Sequence, residues 1–474
     1  MYNITDLKIS DKKISEDYDM FLYRNTEIND LKNVLKSSGK AIILYGKRRV
    51  GKTSLLKEIM KDEPCIYYEC LKDSLESNIL SFKDSLSRSG YIIIPNYVSF
   101  SSFIDVFEYI ESVNKKVNVI IDEYPYLKEM TNPNTVDTMF QKIIDTVLKN
   151  CNLILCGSSV KIMNELLTEG NPLFGRFALI INLPELNYVE VSGFYPDKTI
   201  YEKIAFYSCF GGSPYVNECI NPVLSLKENI INLFLDEKNP VFNYADNVLI
   251  SDATNILQAK RILSVLGNSK EKYSKLEEKL DKEKTGKINT ALKSLLELGI
   301  VKKVFPINTP TDIKKSYYEI NDNAIRFFYT YVQNNRSALT AIGKNLFYDS
   351  YIAPSINTYI SHRFEEQVRM YFSLLAHKGC LSDVKNIGTY YFDNPEEKSN
   401  GEFDVALEKA EGYEIYEVKY RKDPLNFDIV EKEIKQIEKI NAINITKIGF
   451  VNPCGFSFKN DDYDLIDGNN LYNF

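Results

Sequence analysis

A chain of 474 residues is too long for one ordinary hydrophobic core and should divide into two or three domains. Its 44% hydrophobic and 26% charged residues are the balance of a folded globular protein. No apolar run is long enough to span a bilayer, so the expectation is a cytoplasmic protein with no membrane partner. A net charge of −7 excludes a general nucleic-acid sponge, and any contact with a phosphate backbone needs a local basic patch.

The segment up to Met20 is polar, lacks an apolar signal core and reads as a loosely packed lead-in. Cysteines are spread along the chain without a CxxC pair, and His362 and His377 are the only histidines. Cys65, Cys151, Cys156 and Cys209 sit in or beside apolar runs, which predicts small buried thiols rather than disulfides or a zinc site.

In chain order, Ile28, Leu31, Val34 and Leu35 predict a helix over Glu27–Leu35. Lys40–Gly46 reads as a short strand with apolar residues on both faces, and Leu55, Leu56, Ile59 and Met60 predict a helix after Lys52. Strands are expected over Pro64–Cys70, Val117–Asp122, Asn152–Gly157 and Phe177–Leu183. Helices near 74–88, 101–113 and 135–149 separate them, a pattern that calls for a parallel sheet covered on both faces. After Pro184 the chain reads as helical to about Asp236. Three helices and two short strands, Ile300–Pro306 and Ser316–Ile320, are expected next, with Gly299 ending the third helix. A helix over 358–377 follows, then strands near 387–392, 402–408 and 413–420, a charged helix over 428–441 and a strand at 446–451.

Gly46-Lys47-Arg48-Arg49-Val50-Gly51-Lys52-Thr53 matches G-x-x-x-x-G-K-[ST] between a buried strand and an amphipathic helix. Such a loop, through Ser54, curls its backbone N–H groups around the phosphates of ATP at a helix N-terminus. Lys52 would reach the β- and γ-phosphates and Thr53 would hold Mg²⁺. The strand Val117–Ile121 ends in Asp122, suited to the Mg²⁺ shell, and Glu123, suited to polarising the attacking water.

Further motifs resemble the archaeal-type AAA+ ATPases, relatives of the STAND switch ATPases. Phe21-x-x-Arg24-x-x-Glu27 looks like the family's opening segment, which implies that Arg24 lies near the adenine. Ser158, after the strand Leu153–Cys156, is similar to a sensor of the γ-phosphate. Gly211-Gly212-Ser213-Pro214 matches a segment whose proline contacts nucleotide, and Pro172-Leu-Phe-Gly175-Arg176 matches the family's P-L-x-G-R. The resemblance is compatible with a homo-oligomer. Arg176 would be an arginine finger or sensor in one reading, and the partner of an acid in its own subunit in the other.

The three helices and hairpin have the pattern of a winged helix. Lys284, Lys287, Asn289, Thr290 and Lys293 mark a recognition helix, and Lys302, Lys303, Lys314 and Lys315 mark the wing. DNA contact and a packing role both remain open. The aromatic run 327–331 reads as core. Farther on, Asp404 and the strand carrying Glu417 and Lys419 give D-x₁₂-E-x-K, and the strand's period of two puts Glu417 and Lys419 on one face. Two carboxylates there can bind Mg²⁺ beside a lysine that positions water. The set resembles the PD-(D/E)XK nuclease core, which implies Glu365 as a helical metal ligand and, more weakly, a role for Gln436.

The expected fold class is α/β: a P-loop sheet with helical lid over 1–236, a winged helix over 237–335 and a small restriction-endonuclease-like domain over 336–474. The expected function is an ATPase that controls DNA binding or processing, with a Mg²⁺-dependent nuclease site. The alternative is a nucleotide-controlled switch or scaffold that binds DNA or a partner without cutting.

Overall fold

The computed structural model describes residues 24–474 except 114, 254, 281–285, 313–314, 395–398 and 438–442. The expected lead-in, Phe21, Lys284, Lys314 and the helical reading beyond 437 lie outside the described residues.

The first sheet holds β1 (Ala41–Tyr45), β2 (Cys65–Glu69), β3 (Asn118–Asp122), β4 (Asn152–Gly157) and β5 (Leu179–Asn182), ordered β2-β3-β4-β1-β5. All neighbouring pairs are parallel. Successive residues of β1 point to opposite faces, so both faces must be apolar. Ile42 and Leu44 pack with Leu31, Leu55, Leu56 and Ile59 on one side. Ile43 belongs to the larger core on the other side, with Phe82, Phe103, Phe107 and Phe140.

Helices Tyr188–Val191, Ile200–Phe210, Pro214–Glu218, Leu226–Phe234 and Tyr244–Asp252 follow the sheet. Next come helices Ile256–Leu266, Tyr273–Leu280 and Lys287–Glu297, then the antiparallel pair β6 (Val301–Val304) and β7 (Tyr317–Ile320). This is the order of elements expected for a winged helix. Ile262, Leu263, Leu276, Ile288, Leu292 and Leu295 are its buried inner residues. The aromatic run 327–331 is core, as expected: Phe327, Phe328, Tyr329 and Tyr331 are all buried.

The last sheet runs β12-β11-β10-β9-β8. Its strands are β8 (Asn386–Asn394), β9 (Ser399–Glu408), β10 (Tyr413–Val418), β11 (Ile445–Val451) and β12 (Asp464–Ile466). β8, β9 and β10 pair antiparallel, and β10, β11 and β12 pair parallel. The long helix Ile356–His377 packs on this sheet and also on the helix Ile200–Phe210. There Gln367 Nε2 donates to Ser208 Oγ at 2.9 Å. Tyr201 stacks on Tyr420 with centroids 4.2 Å apart, and Tyr188 donates to the Leu471 carbonyl at 2.6 Å. The C-terminal sheet is therefore docked on the helices that follow the nucleotide-type sheet, a contact the sequence reading did not include.

Among the described residues no helix is long and apolar enough to cross a membrane. All eight cysteines are free, and Cys65, Cys151, Cys156 and Cys209 are buried as expected.

Candidate nucleotide site and C-terminal carboxylates

The loop between β1 and the helix Lys52–Asp62 depends on two glycines. A Cβ on Gly46 would lie 2.5 Å from the Leu183 carbonyl oxygen, so no larger residue fits. Gly51 has φ +92° and caps the helix in a left-handed conformation, which glycine adopts without a Cβ clash. Val50 is buried and pins the loop to the apolar layer beneath it. The helix N-terminus, with its positive dipole end, follows directly on the loop. Lys52 Nζ donates back to the carbonyls of Gly46 at 2.8 Å and Lys47 at 3.1 Å.

Because β4 lies between β1 and β3, the end of β4 meets both the loop and the acid pair. Asp122 is buried and accepts from Tyr67 Oη at 2.7 Å and Thr53 Oγ1 at 3.4 Å. Burial first, then the Asp122 carboxylate, holds the Tyr67 hydroxyl well above its ordinary pKa. Glu123 has φ +51°, a costly backbone state for a non-glycine residue. Its Oε2 accepts from Ser158 Oγ at 2.8 Å and Ser158 N at 3.2 Å. Thr53, Asp122, Glu123 and Ser158 are thus joined at one sheet edge. Tyr67 was missed, and nothing in the sequence separates it from the other 32 of 33 tyrosines.

The remaining expected residues surround this edge in different ways. Arg24 Nη2 donates to the carbonyls of Val50, at 3.3 Å, and Pro184, bracing the loop from behind. Arg48 Nη2 donates to Tyr126 Oη at 3.0 Å, and the Arg49 guanidinium lies 3.8 Å from the Tyr215 ring centroid. A Cβ on Gly51 would lie 3.6 Å from Pro214 Cγ, so the proline ring sits over the loop. A cavity of about 410 Å³ opens between Arg48, Arg49, Glu123 and the helix residues Asn247, Val248 and Ile250. That is within the size range of small-ligand sites. Arg176 Nε donates to both oxygens of Asp145, at 2.9 and 3.0 Å, on the same chain.

Lys47 differs most from a simple phosphate-loop residue. Its ammonium is buried and turned away to Glu185 Oε1 at 2.6 Å and Asp322 Oδ2 at 2.7 Å. Tyr244 Oη donates to the same Asp322 oxygen at 3.0 Å, while Asp322 Oδ1 caps the helix Asn323–Phe327 through Ile325 N at 3.1 Å. Burial, then Asp322, pushes the Glu185 carboxyl up to about 7. Burial works against the Asp322 carboxylate too, but Lys47 holds it below the usual range. Only the backbone of Lys47 is left for a phosphate, and its side chain ties the loop to the segment following β7. Removing one partner from a buried ion pair strands the other charge. Asp322→Ala should therefore destabilise the fold by about 3 kcal/mol in urea unfolding. A loss within experimental error would show that the network carries no stability.

At the C-terminal sheet, Tyr416 of β10 pairs with Val405 of β9, so the next register position sets Glu417 opposite Asp404. Val418 N donates to Asp404 Oδ2 at 3.4 Å. Lys419 Nζ lies 3.5 Å from Glu417 and 2.9 Å from Glu433. Glu365 approaches from the helix Ile356–His377 and is paired with His362 Nδ1 at 3.1 Å. Burial, then Glu365 and Glu417, pushes the Asp404 carboxyl up to about 7. Burial also raises Glu417, against the pull of Lys419. Sequence reasoning missed Glu433, which lies one helical turn before Gln436 and so on the same helix face. The Gln436 side chain lies outside the described residues. Among the described residues no three His, Cys, Asp or Glu side chains are gathered closely enough to hold a metal ion by themselves.

A parallel sheet, a G-x-x-x-x-G-K-T loop running into a helix and an acid pair two strands away define an ATP-binding P-loop ATPase domain. Residues 21–216 match the family of ATPase domains found predominantly in Archaea. Residues 328–437 match a family of archaeal and bacterial proteins of unknown function. An uncharacterized protein of Methanocaldococcus jannaschii is 28% identical over 356 residues, covering 73% of this chain and 76% of the relative. Among solved structures, a Walker-type ATPase of Pyrococcus abyssi is 16% identical with a TM-score of 0.49, over 65% of this chain and 95% of that one. The ORC2 protein of Aeropyrum pernix, in ADPNP–ADP complexes, is 11% identical with a TM-score of 0.44, over 69% and 98%.

Proposed function

We propose that this ATPase controls the binding or processing of DNA and that Asp404, Glu417 and Lys419 form a Mg²⁺-dependent nuclease site. The observation that carries the nuclease reading is the pairing of Asp404 opposite Glu417 on adjacent strands, with Lys419 two residues on and Glu365 facing them. At the nucleotide end, Lys52 neutralises the γ-phosphate, and Thr53 and Asp122 hold the cation of MgATP. Glu123 orients water once Ser158 releases it, and Pro214 bounds the nucleotide while Arg24 holds the loop behind it. Arg176 stabilises the transferring phosphoryl group when freed from Asp145. Lys287, Asn289, Thr290 and Lys293 of the third helix hold the DNA backbone.

The carboxylate site offers Mg²⁺ hard oxygen donors from two neighbouring strands, with burial raising both acids against the pull of Lys419. When bound there, the cation would polarise the phosphodiester and lower the pKa of water. Lys419 is placed by Glu417 and Glu433 to hold that water. Asp404 must be ionised to take a cation. Because its carboxyl titrates at about 7, cleavage should rise with pH through that value, and cation uptake should release a proton below it.

Plasmid incubated with Mg²⁺ and ATP tests the proposal: wild type should cut, with Asp404→Ala slower by about 100-fold or more. Equal cleavage by the two proteins overturns the nuclease site. A second reading, a switch that binds without cutting, draws on Lys419 being held more closely by Glu433 than by Glu417. It expects no Mn²⁺ between Asp404 and Glu417 in a soaked crystal.

A further inference from the structure

A second cavity, of about 340 Å³, lies between the three-helix-and-hairpin segment and the helix Ile356–His377. Lys270, after the first of the three helices, and Val304, at the end of β6, line one side of it. Arg363, Arg369 and Glu365 line the other. Four cations line it, Lys270, Arg326, Arg363 and Arg369, against three carboxylates, Glu319, Glu365 and Glu402. In the adjoining ion-pair cluster Glu319 and Glu366 are the shared carboxylates. Lys302 reaches both, Arg326 lies 3.2 Å from Glu319, and Arg363 lies 2.9 Å from Glu366. Arg369, the fourth, has no carboxylate partner among the described residues. Its Nη1 donates instead to the backbone carbonyl of Asp404 at 2.5 Å. Arg326 Nε is buried without a hydrogen-bond partner. Of the other acids on the wall, Glu402 pairs with Lys270 at 3.1 Å and also feels the more distant Arg369, and Glu365 pairs with His362.

Crowding of positive charge is visible in Lys302. Burial first, then Arg326, Arg369 and Arg363, pushes its ammonium down to about 8 despite Glu319. An excess of cations around a cavity of this size favours an anion. Guanidinium groups favour one with paired oxygens, such as a phosphate.

We infer that this cavity binds a backbone phosphate of a nucleic-acid strand and delivers that strand to Asp404, with Arg369 as the residue common to both places. The inference rests on the reading of Asp404 as part of a nucleic-acid site. It adds a phosphate contact at the junction of the two segments to those proposed for the third helix. A cavity of this volume accommodates one phosphate and its sugar, not a duplex, so the ligand class is a single strand or a frayed end.

Fluorescence polarisation of a short labelled single-stranded oligodeoxynucleotide, in EDTA so that no cutting occurs, tests it on the full chain. Arg369→Ala should weaken binding about 10-fold and reduce the salt slope by about one counterion. Arg369→Lys, which keeps a donor for the Asp404 carbonyl, should recover part of the loss. Lys270→Ala, at the mouth of the cavity, should weaken binding without touching that carbonyl. Wild-type affinity and salt slope in both Arg369→Ala and Lys270→Ala overturn the inference. If binding depends on Arg369 and Lys270 yet the wild type never cuts plasmid, the nuclease reading fails and the phosphate site stands.

Discussion

Replacing Lys52 by alanine is expected to lower ATP turnover by about 100-fold or more and to weaken nucleotide binding as well. Two effects combine. The ammonium is the one side-chain charge of the loop directed at its own hollow, since Lys47 is bound to Glu185 and Asp322, Arg48 to Tyr126, and Arg49 lies over Tyr215. It also holds the carbonyls of Gly46 and Lys47 together, so its loss opens the cradle before any nucleotide arrives. Lys52→Arg should not restore turnover, because a planar guanidinium cannot occupy the place of a compact ammonium inside the loop. Phosphate release at saturating MgATP measures both variants. Wild-type turnover in Lys52→Ala would remove the loop from the reaction.

Glu123→Gln should separate binding from hydrolysis. The amide oxygen can still accept from Ser158 Oγ and Ser158 N, so the local hydrogen bonds survive. What disappears is the charge proposed to polarise the attacking water, and the loss in turnover should be about 100- to 1000-fold. Nucleotide affinity, read by a fluorescent ATP analogue, should stay within about twofold, because Lys52, Thr53 and Asp122 are untouched. A parallel fall in affinity would mean that Glu123 shapes the pocket rather than serving the water.

The parts of the molecule written in consecutive residues were legible in the sequence. β1 is buried on both faces and reads as an apolar run, and the loop after it has glycines where the backbone makes its close approach to Leu183 and its left-handed cap. The shared face of Glu417 and Lys419 was legible from the strand's period of two, while the register that sets Asp404 beside them came only with the pairing of the strands. Partners brought from far along the chain were not. Lys47 and Asp322 are 275 residues apart, and a lysine inside a phosphate-loop motif gives no sign that its side chain turns backward. Tyr67 and Glu433 likewise acquire meaning only through Asp122 and Lys419. The helices Arg336–Ile342 and Lys344–Phe347 are seven and four residues long, too short to leave a periodic signal. β12 is three residues long, too short for alternation to mark it.

The docking of the C-terminal sheet gives the two ends of the chain a physical connection. Asp322 receives Lys47 from the loop and caps the helix Asn323–Phe327. At the end of that helix Phe327 packs edge-on against Tyr359, in the same long helix as Glu365 and Arg369. Packed side chains thus run from the loop to the helix that carries Glu365.

Plasmid cleavage with Mg²⁺, compared with and without ATP for wild type, Lys52→Ala and Asp404→Ala, tests the proposed coupling most directly. Lys52→Ala is expected to cut as poorly as Asp404→Ala although its own carboxylate site is intact. Cleavage by Lys52→Ala at the wild-type rate, indifferent to ATP, would contradict it.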